Sequence, residues 1–137
     1  MTPLDPALAE LRRRSKTVPT PPRLPTDAEV TAMEETRGVT FPSDYRRFLL
    51  KASDVCAGSF EPATITSPRS HTYLPDVVAS AREWGVPPEL LPICEDNSDF
   101  YCLNSAGEIC FWSHDSATDE CWPNLAAWIE QVWLRGE

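Results

Sequence analysis

Apolar residues recur three or four positions apart in five stretches of the chain, which is the spacing of one helix face. Each stretch therefore predicts an amphipathic helix that buries this face. The predicted helices span residues 5–16, 26–37, 42–52, 76–84 and 123–135. The buried stripes of the last three are Tyr45, Phe48, Leu49 and Ala52; Val77, Val78, Ala81 and Trp84; and Leu125, Trp128, Ile129, Val132 and Trp133.

Two of these helices carry clear start and stop signals. Thr26 and Glu29 form a capping-box pattern, and Gly38 suits the left-handed residue that ends a helix. Gly85, followed by two prolines, stops the helix that contains Trp84. Asp119 and Glu120 precede the last helix, where its dipole favours acidic residues.

The pattern changes to short alternating runs at 100–103 and 108–112. The residues between them, 104–107, suit a three-residue hairpin loop with a glycine bulge, with Leu103 opposite Ile109. We expect one hairpin face, with Tyr101 and Phe111, to join the core. Residues 55–60 and 63–66 are weaker strand candidates.

Together these elements predict an α+β fold, in which helices pack on one face of a central antiparallel sheet. Residues 1–23 are predicted to form an N-terminal helix and a stiff proline-rich connector, and residues 24–137 the domain itself. Nothing in the chain is long and apolar enough to span a bilayer, and its start does not have the pattern of a secretory signal. We therefore expect a cytoplasmic protein that does not bind a membrane.

Charge divides the chain unevenly. Residues 1–82 carry a net charge of +1, whereas residues 83–137 carry −10, out of −9 for the whole. Such an acidic half repels nucleic acid and attracts a basic partner, although it is also compatible with a merely solvated surface. The basic run at the end of the first helix complements the helix dipole, so we expect no nucleic-acid partner.

The five cysteines are expected to be reduced in a cytoplasmic protein. In the predicted register Cys102 lies across from Cys110, so a bridge between these two is conceivable under oxidation, but two buried thiols are expected.

The residue patterns of common catalytic and metal sites are absent. Cys110, His114 and Cys121 are zinc-ligand types, but the spacing of zinc ribbons and fingers is missing. The acidic run 95–99 fails the EF-hand pattern, and no glycine-rich phosphate loop occurs. A cysteine–histidine nucleophile lacks a local signature. We therefore predict no catalytic residue, no metal and no cofactor.

A partner-binding surface is the stronger hypothesis. The second hairpin face combines aromatic residues with a rim of carboxylates, which is typical of a hot spot for a basic partner. The residues predicted to bind the partner are Glu95, Asp96, Asp99, Phe100, Trp112, His114, Asp115, Asp119 and Glu120. If a helix or loop covers this face, the same aromatics are ordinary packing.

The order of motifs over residues 24–135 resembles the SUKH superfamily, which comprises bacterial immunity proteins and fungal cell-wall-assembly regulators with the Smi/Knr-type domain. The residues that carry the resemblance are Leu24-Pro25-Thr26, Met33-Glu34, Phe41-Pro42, Tyr45, Phe48-Leu49, Pro88, Leu91-Pro92-Ile93, Asp96, Asp99 to Leu103, Gly107 and Trp112 to Asp115. Two positions depart from the family pattern: Ala52-Ser53-Asp54 replaces an Asn-Gly, and Ser98 replaces a glycine.

The resemblance implies an α+β binding protein without catalysis or a cofactor. For bacterial members it implies an immunity protein that neutralises a cognate polymorphic toxin, often a nuclease, in competition between bacteria. A basic nuclease would complement the acidic half of this chain. The alternatives are a regulatory or scaffold protein of the same superfamily and, in another class, a cysteine-dependent enzyme.

Overall fold

The computed structural model describes residues 3–19, 22–115 and 118–136. Two residues of the predicted proline-rich connector, 20 and 21, lie outside the described residues, as does Glu137. The described helices are α1 (Leu4–Arg14), α2 (Asp27–Arg37), α3 (Ser43–Ala52), α4 (Leu74–Trp84) and α5 (Leu125–Trp128), which continues as a π-helix (Ile129–Trp133) and a 3₁₀ turn (Leu134–Gly136). The strands are β1 (Leu91–Asp96), β2 (Asp99–Leu103), β3 (Ile109–Trp112) and β4 (Cys121–Trp122).

All five predicted helices are present, and the predicted caps of α2 are confirmed. The Thr26 side chain accepts a hydrogen bond from the Glu29 backbone N–H at 3.2 Å, while the Thr26 N–H donates to the Glu29 carboxylate at 2.9 Å. Gly38 ends the helix in the left-handed conformation, with φ at 66°. The last helix is capped by the Asn124 side chain, which accepts from the Ala127 N–H at 2.8 Å. Asp119 and Glu120 instead lie before β4, away from this helix start.

The four strands form one antiparallel sheet in the order β1-β2-β3-β4, which confirms the α+β class. The predicted hairpin register is also confirmed, since Leu103 pairs with Ile109 and Cys102 with Cys110. Gly107 has φ at 84°, a conformation that glycine adopts without steric cost. The hairpin loop is therefore specified by local sequence.

The two weaker strand predictions, 55–60 and 63–66, are wrong. This part of the chain makes only isolated bridges, Pro62 with Cys94 and Thr64 with Tyr73. Proline has no N–H to donate to a ladder, and β1 bulges between Pro92 and Cys94 where the segment approaches it. The Ala63 N–H donates a hydrogen bond to the Ile93 carbonyl at 2.7 Å, so this segment contacts β1 without forming a fifth strand.

One sheet face packs on the last helix, as predicted. The ring centroid of Tyr101 lies 5.2 Å from that of Trp128, which is 1% exposed. Trp133 continues this layer and donates its indole N–H to the Ala57 carbonyl at 2.8 Å. Helix α1 adds Leu8 and Leu11 to the same core.

The other face of β2 is covered as well. Phe100 and Cys102 are fully buried, although the sequence pattern placed them on the open face. The end of α4 lies over Trp112, since a Cβ at Gly85 would stand 3.8 Å from the Trp112 ring. Arg82 holds this end of the helix by donating to the carbonyls of Pro87 and Leu90, both at 2.9 Å.

A disulfide joins Cys110 to Cys121, so the prediction that these two cysteines are reduced is wrong. The conceivable partner, Cys102, is a free buried thiol. Cys110 pairs with Cys102 on one side and with Cys121 on the other. The Phe111 N–H donates to the Glu120 carbonyl at 2.9 Å, which makes Cys110 and Cys121 a non-hydrogen-bonded pair. Side chains are closer in such pairs, which favours the bond to Cys121.

Candidate protein-binding surface

The turn between β1 and β2 brings two of the predicted carboxylates together. Asp96 pairs with Asp99 across a two-residue turn formed by Asn97 and Ser98, with φ at 53° and 70°. Positive φ at both central residues matches the twist of the flanking strands. Ser98 therefore occupies a left-handed position, a conformation that glycine adopts without steric cost, which fits the glycine expected here from the resemblance noted above.

Asp99 binds His114 from the end of β3. One carboxylate oxygen of Asp99 accepts from the His114 backbone N–H at 3.0 Å and lies 2.7 Å from the ring Nδ1. The hydrogen bond to Asp99 raises the pKa of His114 above its ordinary value, and the Asp115 carboxylate adds to this. Burial acts to raise the pKa of Asp99, but its hydrogen bonds from His114 outweigh this and lower it. The pair is therefore strongest while Asp99 is ionised and His114 is protonated.

Trp84 joins this pair from α4. Its ring centroid lies 4.9 Å from that of His114, and the residue is 46% exposed. The helical stripe predicted Trp84 to be buried, and that prediction is wrong because Gly85 turns the chain away immediately after it. Trp84 and Val39 are the large apolar residues that are exposed in the described part of the chain. Sequence reasoning therefore missed Trp84 as an exposed aromatic residue at this surface.

Three more predicted carboxylates lie at this end of the sheet. Asp115 follows His114, with one oxygen 3.3 Å from the ring Nε2 and its side chain 80% exposed. Asp119 and Glu120 are exposed and lead into β4. Because the strands are antiparallel, the β1–β2 turn, the end of β3 and the start of β4 share one end of the sheet.

We call this set the acidic edge, and its members are the half-buried Asp96 and Asp99 and the exposed Trp84, His114, Asp115, Asp119 and Glu120. Its charges act together on Tyr101. Burial raises the pKa of this phenol to about 12, and the charges of Asp96, Glu120 and Asp99 contribute to the shift.

The remaining predicted residues lie elsewhere or deeper. Glu95 is exposed on β1, next to Asp96. Trp112 is half-buried, with its ring centroid 6.2 Å from that of Phe100. Phe100 is inaccessible, so it supports the surface from below and is left out of the acidic edge.

The sequence offers cysteine and histidine side chains as possible nucleophiles or metal ligands. Burial raises the pKa of the Cys94 and Cys102 thiols to about 12, which keeps them protonated and weakly nucleophilic at neutral pH. The described residues contain no group of three or more His, Cys, Asp and Glu side chains suited to a metal ion. Cys56 and His71 both line a cavity of about 260 Å³. The His71 imidazole lies 2.5 Å from the Glu61 carboxylate, so its hydrogen bond is to Glu61 rather than to Cys56.

None of the helices in the described ranges has the length and apolar character needed to cross a membrane.

The four-strand antiparallel sheet, its covering helices and the acidic edge define a small α+β domain. The SUKH_5 family model (SMI1-KNR4 cell-wall) matches residues 5–134, and the chain belongs to this family. The match begins at residue 5, within α1.

A solved structure supports the same assignment. The chain is similar to a protein from Pseudomonas syringae pv. tomato known from a crystal structure, with 41% sequence identity and a TM-score of 0.91. The likeness covers 96% of this chain and 98% of that one. Among curated proteins, none matches this chain.

Proposed function

We propose that this protein is an immunity protein, which binds a cognate bacterial toxin and blocks its active site or substrate channel. Membership of the SUKH family supports a role in protein–protein interaction. The observation that carries the proposal is the acidic edge, where an exposed tryptophan packs against His114 and His114 in turn contacts two carboxylates. Such a surface suits a basic protein, and nuclease toxins need basic surfaces to hold their own substrate.

Within this surface Trp84 is the proposed aromatic anchor. Tryptophan is enriched among residues that dominate binding energy, and a cation can rest on its face. His114 holds one side of the ring, while the nearby Asp115 carboxylate is 80% exposed and free to meet a basic group. An arginine of the partner could therefore stack on Trp84 and pair with Asp115.

Co-production with the product of the gene immediately upstream tests the proposal. We expect the protein to rescue growth and to co-purify with that product. Trp84→Ala should weaken the complex by at least about 2 kcal/mol, a typical loss at an interface hot spot. Val39→Ala is the matched control, since Val39 is also an exposed apolar residue but lies before α3. If neither rescue nor co-purification is seen, the regulatory or scaffold role in the same superfamily becomes the better hypothesis.

The proposed role is non-catalytic. Thiol alkylation of the native protein checks this, because an activated catalytic cysteine reacts much faster than an ordinary one. We expect Cys56, the half-buried free thiol, to react no faster than an unactivated thiol. A hyper-reactive cysteine would revive the enzyme hypothesis.

A further inference from the structure

Three cysteines form a row across adjacent strands, and only two of them are bonded. Cys102 on β2 pairs with Cys110 on β3, and Cys110 pairs with Cys121 on β4. The disulfide takes the outer pair. Cys102 is fully buried, whereas Cys121 is exposed at the edge of the sheet. The bond is therefore accessible from solvent on its Cys121 side.

This disulfide secures an element that has few other attachments. β4 has only two residues, and besides the cysteine pair its register includes Ile109 with Trp122. The Glu120 carbonyl accepts from Phe111 at 2.9 Å, and the Trp122 ring centroid lies 5.9 Å from that of Tyr101. A two-residue edge strand is marginal without further support. The disulfide therefore fixes residues 118–122, which include Asp119 and Glu120 of the acidic edge.

We propose that the Cys110–Cys121 disulfide is a reversible redox clamp, which holds β4 and the adjoining part of the acidic edge when oxidised and releases them when reduced. Its effect on partner binding rests on the proposed function, but the clamp itself does not. Exposed disulfides are typically the labile and regulatory ones, and disulfides in cytosolic proteins are usually redox-sensing.

A dithiol is the reductant that the geometry suits. Its thiolate attacks the exposed Sγ of Cys121, forms a mixed disulfide and releases the Cys110 thiolate. The second thiol of the reductant, as its thiolate, then attacks the reductant sulfur of that mixed disulfide and releases the Cys121 thiolate. The reductant is oxidised to a cyclic disulfide, and the two cysteine thiolates take up its two protons. Cys102 does not compete, because burial keeps it protonated and away from solvent.

Hydrogen exchange read by mass spectrometry tests the clamp without a toxin. Native protein is compared before and after dithiothreitol, with the peptide that contains residues 118–122 as the readout. We expect exchange in this peptide to become at least about tenfold faster on reduction. α3 exchanges through unfolding of the whole domain, so its rate should rise only as far as global stability falls, and residues 118–122 should exchange faster than α3 in the reduced protein. Cys121→Ser should be fast in both conditions, and Cys56→Ser, the matched control, should behave as the unmodified chain.

Three outcomes would overturn the clamp. One is an unchanged rate in the 118–122 peptide after complete reduction. Another is exchange of the 118–122 peptide and of α3 at the same rate in the reduced protein, since this would show that the bond only supports the whole fold. The third is alkylation of both Cys110 and Cys121 before any reductant is added. If instead exchange responds as expected while the upstream gene product does not bind, the clamp stands and the proposed function fails.

Discussion

The arginines before residue 83 are largely matched to carboxylates of the same region, whereas the acidic residues of the described ranges 83–115 and 118–136 largely lie outside ion pairs. Arg46 bonds Glu34 at 2.7 Å, and Arg12 bonds Asp54 at 2.7 Å. In the described ranges 83–115 and 118–136, the acidic residues that form an ion pair are Asp99 and Asp115, and each pairs with His114. The two halves thus use charge differently.

The difference separates structural charges from charges left to solvent. Arg46 is 27% exposed and connects α3 to α2 through Glu34 and Asp27, so its charge is neutralised within the fold. Asp115 is 80% exposed and lies in a half with a net charge of −10. The negative field of this half remains available to steer a basic partner.

Reducing the disulfide should have the largest effect on stability. The bond closes a loop with a sequence separation of 11, and its loss should lower the free energy of unfolding by about 3 kcal/mol. Urea unfolding of the oxidised and reduced protein measures this. Cys56→Ser is the control, and an equal stability of both redox forms would contradict the expectation.

Removing Arg46 should cost somewhat less. Arg46→Ala leaves the Glu34 carboxylate, which is 16% exposed, without its cation and should lower the free energy of unfolding by about 2 kcal/mol. Arg47→Ala is the matched control, since its ion pair with Asp5 is 50% and 66% exposed and solvent screening should make its loss much smaller. Equal losses in the two variants would show that the Arg46 pairs are not structural.

Neutralising the acidic edge should affect association rather than stability. Changing Asp115, Asp119 and Glu120 together to Asn, Asn and Gln should slow association with a basic partner about tenfold at low salt. Stability should stay within about 0.5 kcal/mol, because these side chains are exposed. Glu35→Gln, Asp44→Asn and Glu130→Gln together remove the same charge from other exposed positions. If this control slows association equally, net charge rather than the acidic edge is responsible.

Asp99→Asn should give the smallest effect, a lower pKa of the single residue His114. It removes the carboxylate that raises the pKa of His114, so that pKa should fall, as an NMR titration of the ring can measure. His71 does not touch Asp99 and is the internal control. Because the folded pKa is raised, the stabilisation by His114 is complete below the unfolded value of about 6.5 and is lost as pH rises through the folded value. The variant should show a weaker pH dependence, since Asp115 still acts on the ring, and an unmoved His114 titration would contradict the assignment.

Local signals in the sequence were sufficient for the helices and the central hairpin. The cap at Thr26 and the turn at Gly107 depend on residues close in sequence, so both could be predicted. The burial of Phe100 could not, because alternation along a strand does not show what packs on its second face. β4 was missed for a related reason, since a strand of two residues carries no periodicity.

The acidic edge was predictable in part. Its carboxylates stand close together in the sequence, and the hairpin register placed Asp99 near His114. Trp84 was assigned to the core because the helical stripe was extended to the last turn, where Gly85 ends the helix and exposes the ring. The disulfide partner of Cys110 lies on β4, so it was missed together with that strand.

The π-helix in the last element has a consequence for how this chain can change in length. Leu134 donates its backbone N–H to the Ile129 carbonyl five residues earlier, so this turn holds one residue more than an α-turn. Deleting the exposed Gln131 would leave Trp133 four positions after Trp128, still on the same helix face. We expect such a deletion to yield a regular α-helix with a nearly unchanged melting temperature, which circular dichroism can test. The π-turn is then a point where relatives of different length can keep the same aromatic core.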